Sequence, residues 1–298
     1  MKSTPPTTTR TPAGATTIAL ANQKGGVGKT TTAINTAVLL AQRGLRVLLV
    51  DIDPQGNATS SLGVDKRALQ ATTYDVLVDE VPVARAVVPA ARPNLDLLPS
   101  TPTLAGAEIE LVELAERERR LARALGEVAN RYDLVVIDCP PSLGLLTVNA
   151  LTAARYVIVP IQCEFLALEG LGQLISTIDL VKRQLNPPLD VLGVLMTMYD
   201  ARTRLSAHVV EEVRRYFPHR IFGTIVPRSI RLAEAPSYGQ AIAEYDVDSR
   251  GAQAYRSVVD ELLERLRLTP PSESGGANGS LSNVAPAEPA GIAAATAD

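Results

Sequence analysis

Glycines and lysines are concentrated in one short stretch of the 298-residue chain, Lys24-Gly-Gly-Val-Gly-Lys-Thr-Thr31. An apolar run, 17–21, precedes this stretch, and a helical pattern, 33–42, follows it. Glycines let backbone N–H groups turn inward without a Cβ clash, and a helix start adds unsatisfied N–H groups and a positive dipole end. The alternative is a glycine turn with two solvated lysines. Because strand, loop and helix signals coincide, the sequence favours a loop that binds a triphosphate.

The residues of this loop have distinct expected roles. Lys29 is expected to reach the β- and γ-phosphates as a cation, and the Thr30 hydroxyl to bind a bridging Mg²⁺. The usual pattern, Gly-x-x-x-x-Gly-Lys-Ser/Thr, requires glycine where this chain has Gln23, so the match is a variant with an additional lysine. The candidate nucleotide-binding residues in the loop are Lys24, Gly25, Gly26, Val27, Gly28, Lys29, Thr30 and Thr31.

Three aspartates lie at the ends of apolar runs that predict buried parallel strands. Asp51 and Asp53 follow the run 46–50, and Asp138 follows the run 134–137. Open α/β sheets place ligands at the carboxyl ends of their strands, so these carboxylates are expected beside the nucleotide. The candidate Mg²⁺ set is therefore Thr30 with Asp51, Asp53 and Asp138, the aspartates acting through water. For the first two aspartates, a role in a turn before Pro54 is the alternative.

Two segments resemble a known family. Lys24-Gly-Gly-Val-Gly-Lys-Thr-Thr31 resembles the deviant Walker A loop of the ParA/MinD ATPases, and Val50-Asp-Ile-Asp-Pro-Gln-Gly-Asn-Ala-Thr59 is similar to the switch segment of the chromosomal ParA (Soj) group. The resemblance covers about residues 16–267. It implies an ATPase in which Lys24 crosses a dimer interface to touch the partner's nucleotide and Asp53 positions the hydrolytic water. The candidate catalytic residues are thus Lys24, Lys29 and Asp53.

Positive charge is concentrated between Arg202 and Arg231. This segment has seven arginines against two acids, Glu211 and Glu212, an excess of seven minus two, or +5. Arginines neutralise DNA phosphates and release counterions without reading bases. In the resembled group, arginines matching Arg202 and Arg231 lie on the DNA-binding surface, and Arg204 is the third candidate. For each arginine, an exposed helix face or a structural ion pair is the alternative.

Pro227 and Arg228 follow an apolar run, 221–226, which predicts a strand at the edge of the sheet where a nucleotide base would lie. In the resembled family this loop packs on adenine, so both residues are candidate base contacts. A plain turn proline is the alternative. The sequence lacks the Asn-Lys-x-Asp signature with which related GTPases read guanine, and this favours ATP.

Composition narrows the class of protein. The net charge of −3 gives no global sign of a nucleic-acid binder, so a DNA site must be a local patch. Cys139 and Cys163 lie in apolar surroundings far from any C-x-x-C spacing, and we interpret them as buried thiols of a reducing compartment. No apolar run reaches membrane-spanning length. We expect a cytoplasmic, nucleoid-associated protein.

The fold predicted from these patterns is one doubly wound α/β domain, 16–268, with a mainly parallel sheet and helices on both faces. Residues 1–15 are rich in threonine and proline, and residues 269–298 in proline, alanine, glycine and serine, so both are expected to be disordered tails. The C-terminal tail also lacks the basic amphipathic helix with which MinD-type members dock on membranes.

The functional hypothesis is a nucleotide switch. The resemblance implies a homodimer with ATP and Mg²⁺ that binds double-stranded DNA non-specifically. Hydrolysis, weak by itself and stimulated by a ParB-type centromere-binding protein, would dissolve the dimer and so drive chromosome or plasmid segregation. The alternative is a MinD-like ATPase that acts at a membrane or protein surface in cell division or cargo positioning.

Overall fold

A seven-stranded sheet forms the centre of the protein. The computed structural model describes residues 14–164 and 170–271, except the side chains of 90 and 91. The strands are β1 (Thr16–Leu20), β2 (Val47–Asp51), β3 (Val88–Arg92), β4 (Leu95–Leu98), β5 (Leu134–Asp138), β6 (Tyr156–Gln162) and β7 (Asp190–Thr197). Their order is β3-β4-β2-β5-β1-β6-β7, and every pairing is parallel except that of β3 with β4. The predicted doubly wound architecture is confirmed.

Helices cover both faces of the sheet. They are α1 (Lys29–Gln42), α2 (Asn57–Ser61), α3 (Thr73–Leu77), α4 (Val83–Ala86), α5 (Leu104–Glu110), α6 (Arg120–Gly126), α7 (Leu145–Ala153), α8 (Leu171–Gln184), α9 (Arg204–Tyr216), α10 (Ile230–Glu234), α11 (Ile242–Tyr245) and α12 (Arg250–Leu266). Short 3₁₀ helices span Leu111–Glu113 and Ala235–Tyr238.

The central strands are apolar throughout because each is buried on both faces. Alternate residues of one strand belong to different cores: Leu49 packs with α1 and α12, whereas Val50 packs with α5 and α6. All five residues of β2 and of β5 are buried. In the parallel register Asp51 pairs with Asp138, and Leu20 on the other side also pairs with Asp138. The sheet thus delivers two carboxylates to one edge, directly beside the glycine loop.

The run 221–226 was expected to form a strand, and it does not. Ile221 makes an isolated bridge to Val194, but the ladder is interrupted two residues later. There the N–H groups of Gly223 and Thr224 donate to the Glu261 carboxylate of α12, at 2.9 and 3.2 Å. The Glu261 side chain accepts hydrogen bonds from N–H groups that would otherwise bond to a neighbouring strand. The segment therefore runs beside β7 without becoming part of the sheet.

The charged run 113–123 is helical only at its two ends. The 3₁₀ helix ends at Glu113, and α6 begins only at Arg120. The Arg120 guanidinium donates to the carbonyls of Leu77 and Val78, at 2.9 and 3.2 Å. With its side chain 11% exposed, Arg120 ties α3 to α6 and is structural.

The described helices and strands extend from Thr16 to Leu266, and the domain limits 16 and 268 remain a prediction. Most of the two segments expected to be disordered, 1–15 and 269–298, lies outside the described residues. Within the described ranges, no helix has the length and apolar character needed to cross a membrane. Cys139 and Cys163 are free and buried, as expected.

Candidate nucleotide and magnesium site

The glycine loop presents an uncapped helix end. Gly26 and Gly28 have φ angles of +73° and +88°, in the left-handed region that side-chain-bearing residues rarely adopt. Gly28 is the N-cap of α1, and among the described residues no side chain caps this helix. The first N–H groups of α1 are therefore left for a ligand, and the helix dipole favours an anion there.

Two neighbouring strands hold the loop in position. Asn22 donates to the Pro160 carbonyl of β6 at 2.7 Å and accepts the Lys24 N–H at 3.0 Å. The Thr197 hydroxyl, at the end of β7, donates to the Val27 carbonyl at 2.8 Å. These bonds hold the loop in place before any ligand binds. Ligand binding therefore costs little conformational entropy of the loop.

Lys29 is a buried cation next to acids. It is only 6% exposed, and its Nζ donates to the Lys24 carbonyl at 3.0 Å. Burial lowers the pKa of Lys29, while the negative charges of Asp138 and Asp53 act in the opposite direction. A phosphate at this position would stabilise the charged ammonium.

Asp138 is a buried carboxylate that lacks hydrogen-bond partners among the described residues, at either oxygen. Burial raises the pKa of Asp138 well above its ordinary value, while the nearby Thr30 hydroxyl lowers it. A buried carboxylate without donors requires a cation or ordered water. The carboxylate and hydroxyl oxygens of Asp138 and Thr30 therefore fit Mg²⁺.

Mg²⁺ keeps several waters and is usually bound by one or two protein oxygens plus substrate phosphates. The described part of the chain has no group of three or more His, Cys, Asp or Glu arranged to hold a metal ion alone.

Asp51 and Asp53 occupy different environments. Asp51 is fully buried, and its Oδ2 accepts the Thr59 N–H and hydroxyl at 2.8 and 2.7 Å. Its Oδ1 accepts the Asp53 N–H at 3.2 Å. Burial raises the pKa of Asp51 to about 6. Asp53 is 5% exposed, and its Oδ1 accepts the Gln55 N–H at 2.9 Å. Asp51 thus fastens α2 to β2, whereas Asp53 lies at the ligand cavity.

Two adjoining cavities form the cleft, one at the predicted phosphate loop and one at the predicted base contacts. The first, of about 260 Å³, is lined by the loop together with Asp53 and Gln55. The second, of about 330 Å³, is lined by Pro227 and Arg228 and is mostly apolar. The cavities share Gly28, Thr31 and Met198. The structure thus brings the predicted loop, Asp53 and the predicted base contacts to one continuous cleft, and their roles as ligands remain predictions.

Several residues of this cleft were not found from the sequence. Met198 has a φ angle of +52° and lines both cavities. Tyr255 comes from α12 to line the base cavity, and its hydroxyl lies 3.0 Å from the Thr32 hydroxyl of α1. Thr59 binds Asp51 from α2. Met198 and Tyr255 belong to no recognisable motif, and Thr59 lies in the switch segment without a role that the segment's pattern predicts, because each reaches the site through tertiary packing.

The three candidate DNA arginines are exposed. Arg204 lies at the start of α9, Arg231 lies in α10, and Arg202 lies in the loop before α9. Arg202 has an 87% exposed side chain and donates to both carboxylate oxygens of Asp200. Arg231 pairs with Glu234 at 3.0 Å. Solvent and salt screen exposed ion pairs of this kind, so a DNA phosphate can take the place of the acid.

The predicted finger, Lys24, is half-buried, and its backbone N–H and carbonyl are both engaged within the loop. Arg228 also has an acidic partner, because its Nη2 lies 3.2 Å from Glu164. The Lys24 and Arg228 contacts to nucleotide remain predictions.

Comparison with known proteins identifies the family. An AAA domain family profile matches residues 15–191. The chain is 55% identical over 245 residues to the sporulation initiation inhibitor protein Soj of Bacillus subtilis, covering 82% of this chain and 97% of that protein. The chain belongs to the Soj/ParA family. Another member, the chromosome partitioning protein ParA of Myxococcus xanthus, is 52% identical over 248 residues, or 83% and 88% of the two chains.

A solved structure that is similar to this chain contains the expected type of ligand. The cobyrinic acid a,c-diamide synthase of Mycobacterium smegmatis, solved with an ATP analogue and magnesium, is 43% identical to this chain. The TM-score is 0.75, and the match covers 85% of this chain and 96% of that one. The cleft described above thus belongs to a fold in which a relative binds a magnesium nucleotide.

Proposed function

We propose that this protein is a partition ATPase whose ATP-bound dimer binds DNA non-specifically and whose hydrolysis reverses that binding. One observation carries the nucleotide part of the proposal: the unpartnered, buried Asp138 carboxylate lies beside the buried Lys29 ammonium at an uncapped helix end, all among the described residues. The Asp138 carboxylate is complementary to Mg²⁺, the Lys29 ammonium to phosphate oxygens, and the helix end to a polyphosphate chain.

ATP would lie across the two cavities. The first N–H groups of α1 and Lys29 would hold the phosphates, and the apolar cavity at Pro227 and Arg228 would receive adenine. Thr30 would bind Mg²⁺, and Asp138, Asp51 and Asp53 would orient its waters. When bound, Mg²⁺ would supply neutralisation of phosphate charge.

Hydrolysis requires a positioned water and charge stabilisation. Of the three predicted acids, all within the described residues, Asp53 alone lines the phosphate cavity, and this supports Asp53 as the residue that would orient the attacking water. Lys24 would complete the site of a second subunit, which links turnover to dimerisation. Intrinsic hydrolysis is expected to be weak, and a ParB-type partner would accelerate it.

DNA binding rests on Arg202, Arg204 and Arg231. Dimerisation would place two copies of this surface on one particle, and engagement of the second copy would then be intramolecular, so affinity would rise by avidity. The contacts are to phosphates, which predicts sequence-independent binding that weakens steeply with salt. Such binding would place the protein on the nucleoid.

The chromosome partitioning protein ParA of Myxococcus xanthus supports segregation as the purpose of the switch, because its match covers 83% of this chain at 52% identity. The synthase relative is less similar, at 43%.

Charge-removing variants test the DNA surface. Arg231→Ala and Arg202→Ala are expected to weaken binding of random-sequence duplex DNA. Each is also expected to reduce the slope of log affinity against log salt by about one for every DNA phosphate that a subunit no longer neutralises. Arg46→Ala is the matched control, because Arg46 is also exposed and paired with an acid, Asp133, but lies at the opposite edge of the sheet from the ligand cleft. If Arg46→Ala changes the slope as much as Arg231→Ala does, the assigned surface is wrong.

A further inference from the structure

Arg92 joins two segments that are far apart in the sequence. It is the last residue of the edge strand β3, and its side chain is 15% exposed. Its Nη1 donates to the Leu62 carbonyl at 3.1 Å and its Nη2 to the Gly239 carbonyl at 2.5 Å. Its Nε donates to Glu244 at 2.6 Å. One guanidinium thus holds the end of α2, the turn after the second 3₁₀ helix, and α11.

The first of these segments lies at the phosphate end of the cleft. Gln55 and Asn57, immediately before and at the start of α2, line the phosphate cavity. Thr59 of α2 binds Asp51 through its N–H and its hydroxyl. A change at the terminal phosphate would therefore act on the segment that ends at Leu62.

The second segment carries a candidate DNA arginine. Gly239 follows the 3₁₀ helix Ala235–Tyr238, which continues directly from α10. Arg231 of α10 pairs with Glu234, and the Tyr245 hydroxyl of α11 donates to the same carboxylate at 3.2 Å. The position of Gly239 is thus connected to that of Arg231 through a short, hydrogen-bonded unit.

The two segments also touch backbone to backbone. A Cβ built on Gly239 would lie 3.1 Å from the Gly63 Cα, closer than side-chain contacts normally come. No side chain of either glycine can flex between them, so a displacement of one backbone acts directly on the other. Arg92 holds this contact from the side through its bonds to Leu62 and Gly239.

The base cavity offers a second route to α10, but that route cannot distinguish ATP from ADP. Ile230, Leu232 and Ala233 of α10 line the base cavity. Adenine is the same in both nucleotides, so its contact with α10 gives no differential free energy between them, and a ligand shifts an equilibrium only by such a difference. Discrimination must enter at the phosphate end.

We propose that Arg92 is a positioning residue that couples the terminal phosphate of the nucleotide to the arginine-bearing helix α10, through the contact of Gly63 with Gly239. This inference rests on the proposed function, because it explains how that function would distinguish ATP from ADP. Couplings between sites in proteins are typically about 5–150-fold in affinity.

The test uses Arg92→Gln, with Arg265→Gln as the matched control. Arg265 makes the same kinds of contact with similar exposure, 22%, donating to the carbonyls of Leu192 and Ile221 and pairing with Glu261. Both variants remove one guanidinium that ties segments together, so a general reduction in rigidity affects both. Arg92→Lys, which keeps the charge but cannot donate to three acceptors in this geometry, is expected to be intermediate.

The first readout is DNA affinity measured with a non-hydrolysable ATP analogue and with ADP. Arg92→Gln is expected to reduce the ratio of these two affinities by at least about fivefold. Its affinity for each nucleotide should stay within about twofold of the parent, because Arg92 does not line either cavity. Arg265→Gln is expected to retain the parent ratio. An unchanged ratio in Arg92→Gln, or an equal reduction in Arg265→Gln, would overturn the inference.

The second readout does not depend on DNA. Amide hydrogen exchange over residues 230–238 is expected to differ between the analogue-bound and ADP-bound parent, and this difference is expected to disappear in Arg92→Gln only. If the parent bound no DNA but showed this pattern, the proposed function would fail while the coupling stood. If the parent showed no nucleotide-dependent exchange in this segment, or Arg92→Gln retained it, the coupling would be wrong whatever the DNA result.

Discussion

Asp51→Asn should make the nucleotide-free, metal-free protein more stable above pH 7, although the residue lies in the candidate site. Burial raises the pKa of Asp51 from 3.8 to about 6. Between those pH values the folded state holds more protons than the unfolded state, so stability falls as the pH rises and stays low above pH 6. The difference corresponds to about 3 kcal/mol.

The amide removes this cost but gives up one hydrogen bond. Its oxygen can still accept from Thr59, while its NH₂ group would face the Asp53 N–H, and leaving these buried donors unpaired costs about 2 kcal/mol. The net gain is therefore about 1 kcal/mol at pH 8, or about 2–4 °C in Tm for a domain of this size. Removing the charge also relieves Asp138, whose pKa is raised by burial and then by Asp51, so this effect has the same sign.

Urea and thermal unfolding from pH 4.5 to pH 8, in EDTA without nucleotide, would measure the effect. The advantage of the variant is expected to be small at pH 4.5 and to grow until about pH 7. Asp248→Asn, at an exposed position, is the control and should change stability little at any pH. A variant less stable than the parent at every pH, or an advantage that does not depend on pH, would refute the reasoning about the buried carboxylate.

Three further predictions concern the loop, the metal and the switch segment. Thr197→Val, which removes the bond to the Val27 carbonyl, should weaken binding of a fluorescent ATP analogue several-fold, and Thr197→Ser should restore it; equal affinities would remove this bond from the account. Asp138→Asn should abolish most of the gain in analogue affinity that Mg²⁺ gives over EDTA in the parent, and a full retained gain would contradict the assigned metal position. Gly56→Ala should destabilise the fold by about 2 kcal/mol in urea unfolding, because the φ angle is +61° and the added Cβ would lie 2.6 Å from the Ser100 carbonyl oxygen; unchanged stability would mean that this turn relaxes freely.

The sheet and the phosphate loop could be predicted because their signals are local. Doubly buried strands must be apolar on both faces, and a left-handed loop before a helix requires glycine at fixed spacing. The edge strand β3 was missed, and the strand predicted for 221–226 was wrong, because local signals do not determine these two segments. The β3 strand includes a proline, Pro89, and in 221–226 the ladder gives way to bonds with Glu261, about 38 residues away in the sequence.

The site could be predicted only where a motif marks it. The loop and the acids at strand ends follow from residue type and position, but Asn22, Thr59 and Tyr255 enter through tertiary contacts that no short pattern encodes. The same holds for Arg92, whose acceptors come from segments about 30 and 150 residues away. Residues that position a site, unlike residues that bind the ligand, are constrained by the packing of several elements at once.

The central claim is that the nucleotide controls DNA binding through this cleft. Its most direct test is binding of Asp53→Ala to random-sequence duplex DNA with ATP, with ADP and without nucleotide, across a salt series. Asp53 lines the phosphate cavity, so this variant should hold ATP without rapid turnover. Tight binding with ATP alone, weakening steeply as salt rises, is the predicted result. Equal binding under all three nucleotide conditions, or none under any, would contradict the account.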